Sequence, residues 1–310
     1  MSLRLKAPRL PRKSKAVPKE LGGSLRAWVP VAVGIVSITL GILVYKENSR
    51  EKTARYLQDV DEVRKTITEP VLNSSKPVDK TVLANADRRL TTLTKERKDR
   101  PEALALHAVV ANAMGEEEIA YSLANSALAN DPDNPNALIV KGLLEQQKGK
   151  TRESEFTLRK AIVAATERQL PIEKSIAKLN LANQLIAQGR LSEADTLLVD
   201  PRHNEATKAI AYNTTAIISL RKGDLNQATK DFKEAVASDP DYVKALYNLA
   251  CTLQSEGRNE EAQVYFGKID KTAAELKFGS CPTGGGGGGG DVIPDAASKP
   301  GYWQICYEDC

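Results

Sequence analysis

The side chains best suited to covalent chemistry are four cysteines in a chain of 310 residues. Cys281, Cys306 and Cys310 lie near the C-terminal end, and Cys251 lies 30 residues before the first of them. An even number of cysteines predicts disulfides in an oxidising compartment, and four cysteines allow three complete pairings. A zinc site is not expected, because Cys306 and Cys310 have no second pair of ligands close in sequence.

Acid–base or nucleophilic chemistry has little support. The only histidines are His107 and His203, and neither belongs to a nucleophile, metal-binding or nucleotide-binding motif. The acidic run Glu116–Glu118 stands where a helix would begin, and negative charge favours the positive end of the helix dipole. The sequence therefore predicts no catalytic residue, no cofactor and no metal ion, and the chain is not expected to be an enzyme.

The C-terminal segment 271–310 combines glycines with aromatic residues. Gly284–Gly290 is an uninterrupted glycine run, which predicts a flexible tether spanning roughly 15 Å. Tyr302, Trp303 and Ile305 after it are apolar enough to act as anchors. Two interpretations stay open: the aromatic tail folds back and is stapled by a disulfide, or it binds a partner and its thiols are free.

Residues 27–45 form an uncharged, apolar stretch of 19 residues flanked by Trp28 and Tyr45. About 20 such residues cross a bilayer as a helix, and aromatic rings favour its two interfaces. A cleaved signal peptide would need a shorter apolar core and a small-residue cleavage site. A mitochondrial transit peptide would need an amphipathic helix, which Pro8, Pro11 and Pro18 interrupt. An uncleaved transmembrane anchor is the favoured prediction.

The charge of the chain is concentrated in the N-terminal segment 1–26, which carries eight basic residues and one acidic residue. The whole chain has a net charge of +4, so residues 27–310 together carry about −3. Because this part of the chain is mildly acidic, nucleic acid is not an expected partner. The basic flank predicts a cytoplasmic N-terminus in a bacterial inner membrane, with residues 46–310 in the periplasm. Gly34, Ser37 and Gly41 share one face of the predicted span, where a second membrane helix could pack closely.

Five glycines set an internal period: Gly115, Gly149, Gly189, Gly223 and Gly257 are spaced by 34, 40, 34 and 34 residues. Recurrence near 34 residues is typical of a helix–turn–helix solenoid. Five residues after each glycine stands a small side chain, and these are Ala120, Ser154, Ala194, Ala228 and Ala262. Small residues allow paired helices to cross closely, and glycine enters the left-handed conformation that ends a helix.

Residues 101–270 resemble the tetratricopeptide repeat family, most clearly in AIAYNTTAIISLRKGDLNQATKDFKEAVASDP (209–240) and VKALYNLACTLQSEGRNEEAQVYFGKID (243–270). The resemblance implies an all-α, right-handed superhelical solenoid of about five helical hairpins, preceded by one transmembrane helix and followed by an irregular glycine-rich tail. The extra residues near 166–174 are expected to lengthen a loop, and the third repeat to have a short second helix. Helical patterns at 48–69 and 78–97 predict a capping hairpin.

The predicted domains are a basic segment (1–26), a transmembrane helix (27–45), a helical linker and capping hairpin (46–100), the repeat domain (101–270), and the tail (271–310). The predicted repeats are 101–134, 135–168, 175–208, 209–242 and 243–270.

In this family the first helix of each hairpin lines a peptide-binding groove. Carried over by position, the resemblance implies groove residues Val109, Ile139, Leu143, Asn183, Ile186, Asn213, Ile217, Lys244, Tyr247 and Cys251. A carboxylate clamp is not implied, because only Asn183 and Lys244 match its positions. The expected partners are a peptide or helix in the groove and membrane-complex subunits along the transmembrane helix.

Three functions fit this layout. The favoured one is a scaffold or assembly subunit of a bacterial membrane or envelope complex. The alternatives are a periplasmic chaperone-like accessory factor of protein secretion and a mitochondrial outer-membrane import receptor. A fold alone does not choose among them.

Overall fold

A computed structural model describes residues 46–67, 80–97 and 100–272. The chain divides into two compact units, Met1–Tyr56 and Leu57–Cys310. In the first unit, the described residues 46–56 are helical. All regular structure in the described part of the second unit is also helical, which confirms the predicted all-α class.

Short turns join most of the helices from α3 onward. In chain order the helices of the described residues are α1 (46–67), α2 (Lys80–Glu96), α3 (Pro101–Ala113), α4 (Glu117–Asn130), α5 (Pro135–Gln147), α6 (Thr151–Glu167), α7 (Pro171–Ala187), α8 (Leu191–Leu197), α9 (Val199–His203), α10 (Lys208–Arg221), α11 (Leu225–Ser238), α12 (Val243–Ser255) and α13 (Asn259–Thr272).

The predicted helices at 48–69 and 78–97 correspond to α1 and α2. On α2, the buried residues Leu83, Ala86, Leu90 and Leu93 share one face, as their helical spacing predicts. From α3 onward the helices pair as hairpins, with α3–α4, α5–α6, α10–α11 and α12–α13 each in extensive contact. The third hairpin pairs α7 with the short helix α8.

Each of the five periodic glycines ends the first helix of its hairpin with a positive φ, between 71° and 81°. The residue after the glycine then donates its N–H to a carbonyl five residues back. Glu116 donates to Ala111 at 2.9 Å, and Asp224 donates to Ser219 at 2.9 Å. This left-handed cap satisfies a carbonyl that the end of a helix leaves open, and it confirms the predicted role of the glycines.

The small residues predicted at the helix crossings are buried in all five hairpins: Ala120, Ser154, Ala194, Ala228 and Ala262. At the second hairpin the approach is closest. Ser154 Oγ donates to the Gly142 carbonyl at 2.7 Å, and a Cβ added to Gly142 would lie 2.8 Å from Leu158 Cγ. The crossing therefore requires a glycine on α5 and a small residue on α6, as close helix packing demands.

The extra residues between the second and third hairpins do not lengthen the loop, and that prediction is wrong. Helices α6 and α7 have 17 residues each, whereas α4 has 14 and α5 has 13. Only Arg168–Leu170 separates α6 from α7. Helix α7 begins at Pro171, where the fixed φ and missing N–H of proline suit a first helical turn. The extra residues thus extend two helices, and the predicted repeat start at residue 175 lies inside α7.

The third hairpin has the short second helix that the sequence predicts. Helix α8 has seven residues and is followed at once by the five residues of α9. Pro201, which breaks the alanine series at this point, is buried in α9.

The predicted transmembrane segment 27–45, the turn after α1 and the tail from residue 273 lie outside the described residues. Within the described ranges, no helix combines the length and the apolar character needed to cross a membrane.

Replacing Gly223 by Ala tests the left-handed cap. An added Cβ at Gly223 meets no atom within 4 Å, so the cost comes from its φ of 81° alone. We expect the free energy of unfolding to fall by about 1–2 kcal/mol, measured by urea denaturation followed by circular dichroism. The matched control is Gly267→Ala in the middle of α13, which also meets no atom within 4 Å and has no positive φ. This control should stabilise by about 0.5–1 kcal/mol. Equal changes in the free energy of unfolding for the two substitutions would contradict the claim that Gly223 is needed for a left-handed cap.

Candidate functional site

The first helices of the hairpins form one continuous layer. Helix α3 contacts α5, α5 contacts α7, α7 contacts α10, and α10 contacts α12. The second helices α4, α6 and α11 each contact the first helices before and after them. The layer α3–α5–α7–α10–α12, called the inner layer below, is therefore the surface on which the predicted groove residues lie.

The predicted groove residues fall into two groups. Ile139, Leu143, Ile186 and Asn213 are buried. Ile139 and Leu143 pack in one core cluster with Ala161 and Ala177 of the neighbouring helices, which removes much of their surface from any ligand. The half-exposed members are Val109, Asn183, Ile217, Lys244, Tyr247 and Cys251. The peptide-binding role of both groups stays a prediction, and the second group supplies the side chains that a partner could reach.

Two asparagines connect the last two first helices. Asn248 Nδ2 of α12 donates to Asn213 Oδ1 of α10 at 3.0 Å. A half-exposed amide such as Asn248 still has hydrogen-bonding capacity beyond this contact. The inner layer therefore presents amides beside apolar side chains.

A buried amide network at the second and third hairpins was not foreseen from the sequence. Gln184 on α7 is buried, and its Oε1 lies 2.9 Å from Ser154 Oγ, whose single hydroxyl proton is shared between this oxygen and the Gly142 carbonyl. Its Nε2 donates to the Thr151 carbonyl at 2.6 Å. Both ends of the amide are satisfied, so the network ties α7 to the start of α6. The presence of Ser154 where other hairpins have Ala was the one available signal of a polar partner there.

Charged pairs join neighbouring helices around the third hairpin. Asp200 on α9 accepts from Lys178 at 2.7 Å and forms an ion pair with Lys174 at 2.8 Å, both on α7. The hydrogen bonds from these two ammonium groups lower the pKa of Asp200 to about 2. Arg168 forms a two-pronged pair with Asp131, with both distances 2.7 Å, and its hydrogen bond lowers the pKa of that carboxyl.

His107 and Asp231 are two buried titratable side chains outside these ion pairs. His107 Nε2 lies 2.8 Å from Asp87 Oδ1, linking α3 to α2, and the ring is buried. Burial raises the pKa of Asp231 on α11. In the described part of the chain, no group of three or more His, Cys, Asp or Glu residues is placed to hold a metal ion.

Cys251 lies on α12 and is disulfide-bonded. Cys281, Cys306 and Cys310, like the proposed tail anchors Tyr302, Trp303 and Ile305, lie outside the described residues. The pairing of the cysteines and the role of the tail stay predictions.

Comparison with known proteins agrees with this geometry. A family model described as tetratricopeptide repeat matches residues 219–275, which cover α11, α12 and α13. A TPR repeat-containing protein of Methanocaldococcus jannaschii is 24% identical over 176 residues, or 53% of this chain. The chain spans only 30% of the length of that relative.

Solved structures share the fold at low identity. The crystal structure of PilW, a widely conserved type IV pilus biogenesis factor, matches with a TM-score of 0.53 and 17% identity. The match covers 64% of this chain and 89% of PilW. Human IFIT1, in a dimer with PPP-AAAA, matches with a TM-score of 0.51 and 16% identity over 62% of this chain and 46% of that one.

The helices form a tetratricopeptide-repeat (TPR) type solenoid. The family model and the structural neighbours support the TPR family for it. The PilW match shows that the likeness extends well beyond residues 219–275, since it covers 64% of the chain. Membrane attachment and the absence of nucleic acid binding stay predictions.

Substituting Asp200 by Asn tests the ion pairs that hold α9 on α7. The pKa of Asp200 is lowered from 3.8 to about 2, so the folded state favours the charged carboxylate. This contribution is present above about pH 4 and is lost as the pH falls toward 2. Because Asp200 is partly exposed, we expect D200N to lower the free energy of unfolding by less than about 1 kcal/mol at pH 7.

The difference between D200N and the unsubstituted chain should disappear as the pH approaches 2, in urea unfolding at a series of pH values. Asp59→Asn at an exposed position of α1 is the control and should leave the free energy of unfolding at pH 7 unchanged. A D200N effect that persists undiminished at the acid end would show that the pairs act through something other than charge.

Proposed function

We propose that this chain is a non-catalytic, membrane-anchored TPR protein whose inner layer binds a segment of another polypeptide. The observation that carries the proposal is the unbroken contact from α3 to α12, which gives five first helices one shared surface. A helix or an extended segment laid on such a surface is held by side-chain anchors at regular spacing.

The half-exposed residues of the inner layer define the chemistry of the partner. Val109, Ile217 and Tyr247 offer apolar surface on three different hairpins. Asn183 offers an amide in the middle of the layer, and Lys244 lies on the last hairpin. A segment with spaced apolar side chains, whose backbone can form a hydrogen bond with an amide, fits this pattern.

The biological setting that we propose is a bacterial envelope complex in which the chain acts as a scaffold or assembly subunit. The uncharged stretch 27–45 would anchor it in the inner membrane, and the basic segment before it would keep the N-terminus cytoplasmic. The fold shared with PilW, a pilus biogenesis factor, is in keeping with an assembly role. A secretion-accessory chaperone would have the same layout but would bind many clients transiently.

Membrane attachment has a direct test. We expect the intact chain to stay in the membrane pellet after an alkaline carbonate wash, because 19 uncharged residues bury enough apolar surface to remain inserted. A control chain starting at residue 46 should be released by the same wash. Release of the intact chain by the wash would show that residues 27–45 do not anchor it in the membrane.

Asn183→Arg tests the inner layer as the binding surface. The arginine would place a bulky charge in the middle of the proposed groove. It would also remove the Asn183 side-chain amide, with which the backbone of the partner is proposed to form a hydrogen bond. We expect the amount of co-purified partner to fall at least ~10-fold, the loss that 1.4 kcal/mol produces. The measurement is quantitative mass spectrometry of proteins that co-purify with the full chain from membranes in mild detergent.

The matched control is Asn226→Arg, the same change at an exposed position of the second helix α11. It should retain the partner at the level of the unsubstituted chain. If both variants retain it, the inner layer is not the binding surface. A stoichiometric partner would favour the scaffold over the chaperone, and many substoichiometric partners would favour the reverse.

A further inference from the structure

Helix α6 carries two large apolar side chains on its outward face. Phe156 is 72% exposed, more than any other large apolar side chain in the described ranges, and Val163, two turns later on the same face, is 56% exposed. Among the described helices α6 packs against α5 and α7 only, so this face points away from the solenoid. Exposed apolar side chains aligned along one helix are typical of a surface that another polypeptide covers.

The repeat pattern shows that this apolar pair is particular to the second hairpin. The position seven residues after each cap glycine is exposed in all five hairpins. It is polar in the first, third and fourth hairpins, which have Ser122, Thr196 and Lys230 there. The fifth hairpin has Val264, but Lys271 stands two turns later. The repeat fold therefore does not require Phe156 and Val163 at these positions.

The charged residues around the pair are arranged so that the face complements itself. Phe156 and Val163 lie at equal distances from the middle of α6, which falls between residues 159 and 160. Arg152 lies one turn before Phe156, and Glu167 lies one turn after Val163. Both charged residues are exposed, and neither forms an ion pair within the described residues. In two antiparallel copies of α6, Phe156 therefore faces Val163 of the second copy, and Arg152 faces its Glu167.

The charges favour this antiparallel arrangement over a parallel one. Parallel packing would place Arg152 against Arg152 and Glu167 against Glu167, and like charges repel. The basic residues in the middle of the helix are paired on their own chain. Arg159 forms an ion pair with Glu155 at 2.7 Å, and Lys160 forms one with Asp133 at 3.0 Å. Because of these carboxylates, the middle of the face has little net charge to repel a second copy.

We propose that two copies of this chain associate through the outward faces of α6, packed antiparallel about a two-fold axis. A two-fold contact uses the same patch on both copies, so a patch that complements itself points to a second copy rather than to an unrelated protein. Helix α6 is not part of the inner layer, so the contact leaves that layer open in both copies and does not rest on its binding a polypeptide. One helix face per copy makes a small interface, so the dimer is weak and reversible.

The test measures the dimer of the full chain by sedimentation velocity in one mild detergent, over a series of micromolar concentrations. Phe156→Ser introduces the residue type that the first hairpin has at the equivalent position. The matched control is Val264→Ser on α13, where the side chain is 60% exposed at the equivalent position of the fifth hairpin. Arg152→Glu and Glu167→Arg each replace an attraction by a repulsion. The double variant exchanges the two charges and restores their complementarity.

We expect the unsubstituted chain to dimerise, and Phe156→Ser to raise the dissociation constant of the dimer at least ~10-fold, because each dimer loses two apolar contacts. Each single charge variant should raise this constant several-fold, and the double variant should return it to within about two-fold of the unsubstituted value. Val264→Ser should leave it unchanged. A monomeric unsubstituted chain, an equally strong dimer in Phe156→Ser, or a double variant as weak as the single ones would overturn the proposal.

A photo-crosslink locates the contact. In this experiment p-benzoylphenylalanine replaces Val163 in the full chain, and membranes that contain the chain are irradiated before denaturing electrophoresis. We expect a product of twice the mass of the chain, with the new bond in the tryptic peptide Glu153–Arg159, which contains Phe156. A product with a different protein and no dimer would assign this face to another partner. That result, or a dimer crosslinked outside this peptide, would overturn the proposal.

Discussion

The close crossing of the two helices in each hairpin is the constraint on which the rest of the solenoid depends. A side chain of one or two heavy atoms stands at each crossing, from Ala120 to Ala262, and each of them is buried. At Ser154 the approach is so close that its hydroxyl bonds the backbone of the partner helix. With the helices this near, the larger residues on either side interdigitate, and the core clusters run from one hairpin to the next.

The glycine turns and the helix crossings could be predicted because both are local requirements with a fixed spacing. A left-handed cap needs glycine, and a crossing five residues later needs a small residue, so the pair recurs in phase. The fate of the insertion before Pro171 could not be predicted in this way. Extra residues can enter a loop or extend the flanking helices, and the choice depends on what the extended turns pack against. Here Ala165 is buried in the added turn of α6.

For the predicted groove residues, the repeat phase indicates which helices carry them but not how deeply each side chain is buried. Repeat phase places Val109 and Leu143 at the same groove position of successive repeats, yet only Val109 is half-exposed, since Leu143 packs in a core cluster. The depth of a side chain depends on how neighbouring hairpins are rotated against each other, and a repeat pattern does not contain that angle. The half-exposed part of the inner layer therefore offers fewer apolar side chains than the sequence predicts, because Ile139, Leu143 and Ile186 are buried.

The central claim, that close crossings at small residues build the solenoid, is tested most directly by adding bulk at one crossing. Ala228→Leu places three more carbons between α10 and α11, at a position that is fully buried, and should lower the free energy of unfolding by about 1–3 kcal/mol. Ala237→Leu makes the same change on the exposed face of α11 and should be nearly neutral. Urea unfolding of both variants, followed by circular dichroism, would contradict the account if Ala228→Leu were as stable as Ala237→Leu.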